Sequence, residues 1–342
     1  MVLLLVVLDR QEFLTMTDKL DLQLQAGING DFDTGMRLAD EMEIERPNCN
    51  RAKFNRGWYE MMKGNHLKGH ECLLAGREEN VFGNTHTMQK SNQPMWNGER
   101  GVTVMMRMEG GLGDQIYAIR FAKDIADYGN RVIIDGSEYL ADLLIDVEGV
   151  SALCQHEAAM GVYHDYWVPS MSVQVPLKLE FHDLSGESYI RRIGKSEGKI
   201  GVNWTGNPMF EHQQHRLFDK NLMFDMLENY DCISLQKDDV EIPFWMEQQP
   251  LDTWRQTREQ ISRCDLVISS CTSVAHLAGA MGIETWIVVP ILPYYLWALP
   301  GNTTPHYDSV TLFRQEKYGN WNAPFKTMTE QLKLKLKQKV AA

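Results

Sequence analysis

Residues 265–282 read DLVISSCTSVAHLAGAMG, and this stretch indicates the fold more clearly than any other part of the sequence. The apolar run from Leu266 to Ile268 predicts a buried strand that ends in small hydroxyl residues. The chain then continues as a predicted helix that begins near Ser273. A second apolar run, TWIVVP at 285–290, predicts another strand, so the segment forms a βαβ unit of a parallel sheet.

The turn between this strand and its helix is a candidate phosphate-binding site. Where a strand leads into a helix N-terminus, unpaired backbone N–H groups and the positive end of the helix dipole converge on one point. Thr272 and Ser273 are small enough for a ligand to approach the backbone, and His276 is predicted in the first helical turn. These residues alone leave open the alternative of an ordinary turn with a helix cap.

The composition is typical of a globular protein that does not bind nucleic acid. The chain has 342 residues, of which 44% are hydrophobic and 23% charged, enough for two or three domains. A formal net charge of -12 opposes binding to a phosphate backbone. The six cysteines lack the spacing of a zinc site, so we predict reduced thiols and a cytoplasmic protein.

The N-terminus is apolar, but we predict neither a membrane span nor a signal peptide there. The apolar run covers residues 1–8, whereas a bilayer span needs about 20 residues. It also lacks the basic residues and the small-residue cleavage site of a signal peptide.

Residues 16–83 contain two predicted helix pairs in a 34-residue repeat. Gly30 and Gly64, each in the middle of a pair, are 34 residues apart, and Pro47 closes the first unit. This period resembles the tetratricopeptide repeat, although the early aromatic and leucine positions of that motif are poorly kept. Two unrelated helical hairpins are the alternative. Two such units cannot bury a core alone, so we expect them to pack on the next domain or to bind a protein partner or a second copy.

After a polar linker at 84–100, predicted strands and helices alternate in two sets. In the first set, the strands cover 102–107 and 131–134 and the helices cover 115–128 and 139–145. In the second set, the strands cover 200–204, 232–236, 266–269 and 286–289. This α/β pattern predicts two Rossmann-like, doubly wound domains that face a cleft. The predicted organisation is a helical region at 1–90, the two α/β domains at 91–195 and 196–325, and a lysine-bearing helix and tail at 326–342.

The loop EGGLGDQI at 109–116 invites comparison with a dinucleotide-binding fingerprint, but the comparison fails. Gly111 and Gly113 fit the first two glycines, whereas Ile116 stands where the third should be. Asp135 is only a weak candidate for the carboxylate that would bind the ribose. We therefore exclude a nicotinamide-dependent dehydrogenase, and we predict that the glycines give backbone room for a ligand.

Asp114 follows these glycines and is the candidate general base. Its predicted position at a helix N-terminus also suits an N-cap, which is the structural alternative. If it is a base, we expect the helix dipole to lower its pKa, which keeps the carboxylate ionised but makes it weaker.

A third polar cluster follows the strand at 200–204. Asn207 lies in its first turn, and Arg216 offers a planar cation for a diphosphate. His212 and His215 are three residues apart, a spacing that suggests a metal site. No carboxylate or cysteine completes that set, so we predict no metal and favour a solvated polar loop.

Taken in order, these clusters resemble the GT-B glycosyltransferases that join tetratricopeptide repeats to a heptosyltransferase-like catalytic region of glycosyltransferase family 9. The resemblance covers about residues 94–325. Its motifs are PMWNGE (94–99), EGGLGDQI (109–116), GVNWTGNP (201–208) with Arg216, SLQ (234–236), LVISSCTSVAHLAGAMG (266–282), LFRQ (312–315) and GNW (319–321).

The resemblance implies an inverting transfer that needs neither a metal nor a cofactor. It implies a nucleotide sugar bound by the C-terminal domain and an acceptor of unknown kind (glycan, lipid-linked sugar or protein) bound by the N-terminal domain. By this analogy Asp114 matches the catalytic base. The residues matched to the donor and its phosphates are Gly111, Gly113, Asn207, Arg216, Cys271, Thr272, Ser273 and His276.

Two positions depart from the family pattern. Cys271 replaces the aspartate that usually precedes the threonine, and Asn320 replaces the aspartate of a Gly-Asp-Trp motif. The first change puts the orientation and the identity of the donor in doubt. A catalytically inactive scaffold, in which the repeats bind a protein and the α/β region only binds a nucleotide, is therefore the alternative function.

Overall fold

The computed structural model describes residues 16–77, 92–155, 159–209, 213–237 and 241–341. These residues form a helical region, a four-stranded sheet and a five-stranded sheet. Three features considered above lie outside the described residues, namely the apolar start (1–8), the end of the repeats with most of the linker (78–91), and His212. None of the helices in the described ranges is long and apolar enough to cross a bilayer.

Four helices form the two predicted pairs. They are α1 (Met16–Ile28), α2 (Phe32–Glu45), α3 (Asn50–Met62) and α4 (His66–Leu74). The first and third helices begin 34 residues apart, as do the second and fourth, so the predicted spacing is confirmed. Gly30 (φ 75°) and Gly64 (φ 89°) turn the chain within each pair in the left-handed region that favours glycine. The assignment to tetratricopeptide repeats stays a prediction.

The first sheet is parallel, with the strand order β3-β2-β1-β4. Its strands are β1 (Thr103–Arg107), β2 (Arg131–Gly136), β3 (Val150–Gln155) and β4 (Tyr166–Pro169). Its helices are α5 (Leu112–Ala118), α6 (Phe121–Asp127), α7 (Ala141–Leu144) and α8 (Gln174–Leu177). The prediction of one helix over 115–128 was wrong, because a tighter turn at 119–120, with i to i+3 backbone hydrogen bonds from Ala122 and Lys123, separates α5 from α6.

The second sheet is also parallel, with the order β6-β5-β7-β8-β9. Its strands are β5 (Lys199–Asn203), β6 (Cys232–Ser234), β7 (Cys264–Ser270), β8 (Glu284–Val289) and β9 (Val310–Arg314). The remaining helices are α9 (Gln213–Arg216), α10 (Lys220–Leu227), α11 (Trp254–Ser262), α12 (Ser273–Ala280) and α13 (Asn322–Ala341). The βαβ unit predicted from 265–290 is therefore present as β7, α12 and β8.

Both faces of the second sheet are buried, which explains the near-continuous apolar character of its strands. Ile200 and Val202 of β5 join one core with α10 and α13, whereas Val267 of β7 joins a larger core that extends into the first sheet and the helical region. Successive side chains of a strand point to opposite faces, so the same strands serve both cores.

A buried arginine stabilises the junction between the two α/β parts. The Arg120 guanidinium donates to the carbonyls of Ser185 and His306 at 3.2 and 2.5 Å. It also lies 4.5 Å from the ring centroids of Tyr189 and Tyr307. Cation–π contacts of this kind are strongest where water is excluded.

Candidate active site

The strand orders place two crevices where ligands bind in doubly wound sheets. In such sheets, ligands bind at the carboxyl ends of the strands where the chain order reverses. That point lies between β1 and β4 in the first sheet and between β5 and β7 in the second. The helices that follow β1 and β7 are α5 and α12, and they pack against each other. The predicted glycine loop and the predicted phosphate turn are therefore neighbours.

Gly113 is the point where α5 and α12 come closest. A Cβ atom at Gly113 would lie 2.9 Å from Cδ2 of His276 and 3.2 Å from Cα of Ser273. A Cβ atom at Gly110, where φ is 69°, would lie 2.5 Å from a carboxylate oxygen of Asp114. The prediction that these glycines leave room for a ligand was therefore wrong for Gly113, because protein atoms fill the space beside it. Gly111 is exposed at the start of α5.

We expect Gly113→Ala to destabilise the protein by about 1–3 kcal/mol, the usual cost of one extra methyl group in a filled contact. The loss is measured as a lower midpoint of urea unfolding. Gly161→Ala is the matched control, because nothing lies within 4 Å of its new Cβ atom. Equal destabilisation by both substitutions would show that α5 and α12 do not need this close approach.

Asp114 occupies the third position of α5 and has partners on both of its carboxylate oxygens. Oδ2 accepts the backbone N–H of Gly111 at 2.7 Å, and Oδ1 accepts the hydroxyl of Tyr294 at 2.8 Å. The N-cap of α5 is Gly111, so the alternative that Asp114 is the N-cap was wrong. The Asp114 side chain accepts the backbone N–H of this N-cap residue from the first turn of the helix. The side chain is half-buried.

Burial raises the pKa of Asp114 from 3.8 to about 6, and the nearby Glu109 carboxylate acts in the same direction. The hydrogen bonds from Tyr294 and from backbone N–H groups oppose this rise without cancelling it. The prediction that the helix dipole would lower this pKa was therefore wrong, because loss of water around the carboxylate is the larger effect. A carboxylate with this pKa is ionised at neutral pH and is a stronger base than an ordinary aspartate.

Tyr294 belongs to this site although no feature of the sequence pointed to it. It lies in the loop that follows β8, 180 residues from Asp114 along the chain. Two adjacent tyrosines after a strand are also common in apolar cores, so the residue type alone could not have identified it.

A buried polar network joins the end of β5 to the start of α12. The Oδ1 atom of Asn203, at the end of β5, accepts the hydroxyl of Thr272 at 2.8 Å. The Nδ2 atom of Asn203 donates to Oε1 of Gln236 at 3.0 Å, and this oxygen also accepts the backbone N–H groups of Trp204 and Thr205. Asn203 and Gln236 lie within the motifs quoted above, but their role in fixing the loop after β5 was not predicted.

Arg216 is brought to the predicted phosphate turn. Its Nη1 atom donates to the backbone carbonyl of Cys271 at 2.5 Å, and its Nε atom donates to Oε1 of Gln213 at 2.6 Å. Asn207 is an exposed residue of the same loop, and its carbonyl accepts from Nη2 of Arg216 at 3.4 Å. The structure therefore places the Arg216 guanidinium on the carbonyl of Cys271, the residue that directly precedes Thr272, the N-cap of α12.

Cys271 and His276 point away from the open part of the turn. The Cys271 thiol donates to the carbonyl of Val288 at 3.3 Å, and burial raises its pKa to about 12. The His276 ring is stacked on Trp297 with centroids 5.0 Å apart, and burial followed by the charge of Arg120 lowers its pKa to about 3. His276 is therefore neutral at physiological pH. The contributions of both residues to donor binding stay predictions.

The Asp135 side chain is buried in the first sheet and pairs with Arg107. Its Oδ2 atom accepts Nε of Arg107 at 2.8 Å, and the two side chains are 0% and 2% exposed. Asp135, the weak candidate for a ribose-binding carboxylate, is thus enclosed within the first sheet.

The comparisons with known proteins find similar structures only. Neither a family model nor a curated protein matches the sequence. The fold is similar to the iron-containing dodecameric glycosyltransferase TibC from enterotoxigenic E. coli (TM-score 0.44, 12% identity), over 66% of each chain. It is similar to a glycosyl transferase of family 9 from Veillonella parvula (TM-score 0.48, 9% identity), over 70% of this chain and 96% of that one. It is also similar to E. coli heptosyltransferase WaaC with ADP (TM-score 0.46, 11% identity), over 68% of this chain and 98% of that one.

The described part of the chain contains no group of three histidine, cysteine, aspartate or glutamate residues arranged to hold a metal ion. His215 lies in the structure, 5.8 Å from the ring of Tyr318, whereas its predicted companion His212 lies outside the described residues. The six cysteines are free thiols.

Proposed function

We propose that this protein is an inverting glycosyltransferase that uses a nucleoside diphosphate sugar and needs no metal. One observation carries the proposal. A carboxylate with a raised pKa, Asp114, lies at the ligand crevice of the first sheet, directly beside the hydroxyl-lined N-terminus of α12 at the crevice of the second sheet. A transfer from a diphosphate leaving group requires a base close to an anion site, and Gly113, the residue before Asp114, packs directly against Ser273 at the start of α12.

On the donor side, the diphosphate would bind at the start of α12. The backbone N–H groups of Thr272 and Ser273 and the positive end of the helix dipole favour an anion there. Arg216 places a permanent positive charge beside this turn through its bond to the Cys271 carbonyl. These groups are fixed before the reaction, so they stabilise the negative charge that develops on the leaving diphosphate without first having to reorganise.

On the acceptor side, Asp114 would take the proton of the attacking hydroxyl. The acceptor oxygen forms a bond to the anomeric carbon while the bond from that carbon to the diphosphate oxygen breaks on the opposite face. The proton passes to Asp114, the electron pair of the broken bond leaves with the diphosphate, and the anomeric configuration inverts. A pKa of about 6 leaves this carboxylate ionised at neutral pH.

We expect Arg216→Gln to weaken nucleoside diphosphate binding by about 10- to 100-fold, the usual effect of losing a charged hydrogen-bond donor. Calorimetric titration with ADP, UDP and GDP measures the effect. Arg255→Gln is the control, because Arg255 is exposed on α11 and pairs only with Glu259 among the contacts described. Unchanged affinity in Arg216→Gln would remove Arg216 from the donor site.

The experiment that tests the proposed function is a donor panel. ADP-heptose is the first donor to try, because one heptosyltransferase structure similar to this chain is a complex with ADP-heptose; UDP- and GDP-sugars complete the panel. We expect binding of one donor, followed by release of its diphosphate. Binding without release by the wild-type protein, with every acceptor class tried, would favour the inactive scaffold instead.

A further inference from the structure

The loop that follows β8 connects the helical region to the candidate base. It begins at Pro290 and contains a single helical turn at Tyr295–Trp297. Tyr294 stands just before that turn, and its hydroxyl donates to Oδ1 of Asp114 at 2.8 Å. One loop of the second α/β part thus contacts the reacting group of the first.

The helical region contacts the same loop at several points, among them the rings of Trp58 and His70 against Tyr295. The ring of Trp58, on α3, meets the ring of Tyr294 edge-on with centroids 5.8 Å apart. A Cβ atom at Gly27 would lie 3.0 Å from Leu292, and one at Gly30 would lie 2.9 Å from Ile291. The end of α1 therefore lies directly on the loop, and neither position leaves space for a larger side chain.

We propose that Tyr294 is a positioning residue for Asp114, and that Trp58 of the helical region holds Tyr294 in place. The helical region then takes part in positioning the candidate base. Tyr294 fixes the rotamer of the carboxylate by binding one oxygen, while Gly111 binds the other. The proposal rests on the proposed function for its catalytic meaning, but the contact itself can be tested without activity.

The groups around Asp114 determine whether loss of the Tyr294 hydrogen bond raises or lowers the pKa of Asp114. Glu109, in the loop after β1, is the nearby carboxylate, and Tyr295 is the second phenol close to the site. His276 of α12 packs against Gly113 and is neutral. Tyr294 is thus the side chain in this set that favours the ionised carboxylate by hydrogen bonding. Its removal leaves burial and Glu109 less opposed, so the pKa of Asp114 must rise.

The first test is Tyr294→Phe, which removes one oxygen atom and keeps the ring. Carbon-13 NMR of protein labelled at the aspartate carboxyl carbons, with Asp114→Asn used to assign the signal, follows the titration of Asp114 directly. We expect its midpoint to rise by roughly one pH unit, the size of one lost charged hydrogen bond. The acid limb of the pH profile of kcat/KM should rise by the same amount. Tyr59→Phe is the matched control, because it removes a buried hydroxyl that binds only the Gln23 carbonyl among the contacts described.

The second test is Trp58→Ala, with Trp58→Phe as the milder variant that remains informative if the alanine protein does not fold. We expect Trp58→Ala to raise the Asp114 midpoint, with Trp58→Phe in between. In the Tyr294→Phe background neither substitution should raise it further, because the contact they act through is already gone.

An unchanged Asp114 midpoint in Tyr294→Phe would overturn the proposal. An unchanged midpoint in both Trp58 variants would overturn the part assigned to the helical region. The NMR titration separates these failures from failure of the proposed function. A raised midpoint in a protein that transfers no sugar would support the contact and reject only the glycosyltransferase assignment.

Discussion

Asp114→Asn is expected to lower the rate of sugar transfer by about 10²- to 10⁴-fold while leaving donor affinity within a few-fold of wild type. The asparagine side chain keeps the size of the carboxylate and can still accept one of the two hydrogen bonds that the carboxylate receives from Gly111 and Tyr294. It cannot accept the proton of the attacking hydroxyl. Loss of kcat with little change in donor binding is therefore the pattern that a general base predicts.

The same substitution should stabilise the protein at neutral pH. The folded protein raises the pKa of Asp114 from 3.8 to about 6, so it prefers the neutral carboxyl. An acid shifted upward contributes stability below its unfolded pKa, and that contribution is lost as the pH rises through the folded pKa. Asparagine is neutral throughout, so relative to wild type it should gain about 1–2 kcal/mol between pH 4 and pH 8, after allowance for the partly exposed carboxylate.

Urea unfolding near pH 4 and near pH 8 measures this difference. Asp142→Asn is the control, because Asp142 is an exposed aspartate on α7. Lower activity combined with higher stability near pH 8 would show that the ionised carboxylate of Asp114 lowers stability and is kept because activity needs it. If the stability difference between Asp114→Asn and the wild type were the same at both pH values, the raised pKa of Asp114 would be contradicted.

Asp135→Ala is expected to have the largest effect on stability, a loss of about 3–5 kcal/mol. The substitution leaves the Arg107 guanidinium inside the first sheet without the carboxylate that it now meets at 2.8 Å. Removing one partner of a buried ion pair takes from the other an opposite charge and a hydrogen bond in a region that excludes water. The free energy of unfolding in urea gives the loss directly.

The double substitution Arg107→Met with Asp135→Leu is the matched control. Apolar side chains of similar volume avoid the uncompensated charge, so the double variant should recover most of the stability. Nucleotide binding distinguishes this account from a ribose-binding role for Asp135. The double variant should bind nucleotides like the wild type. Loss of nucleotide affinity in a double variant that still folds would show that Asp135 contributes to the ligand site.

The sequence predicted six of the nine strands in the described residues, and it missed β3, β4 and β9. β7 and β8 lie inside the second sheet and read as continuous apolar runs. β3 lies at a sheet edge, and all of its residues are at least partly exposed, so its VSALCQ sequence has no clear period. β4 is only four residues long. Shortness and edge position are not sufficient reasons for a miss, because β6 is an edge strand of three residues, all buried, and it was predicted.

The candidate site was predictable where it depends on local sequence. The N-terminus of α12 follows from the small hydroxyl residues after β7, and Asp114 follows from the glycine loop after β1. The direction of the Asp114 pKa was not predictable, because burial depends on residues that arrive from distant parts of the chain. Tyr294 and Trp58 lie on opposite sides of Asp114 in the sequence, and only the folded chain brings them together.

Phosphorus NMR of the protein incubated with its donor, compared between wild type and Asp114→Asn, tests the central claim most directly. We predict that the wild-type protein releases the nucleoside diphosphate, and that proton NMR shows the transferred or hydrolysed sugar with inverted anomeric configuration. We predict that Asp114→Asn binds the same donor and releases the diphosphate at least about 100-fold more slowly. Equal release by the two proteins, or a sugar product with retained configuration, would contradict the account.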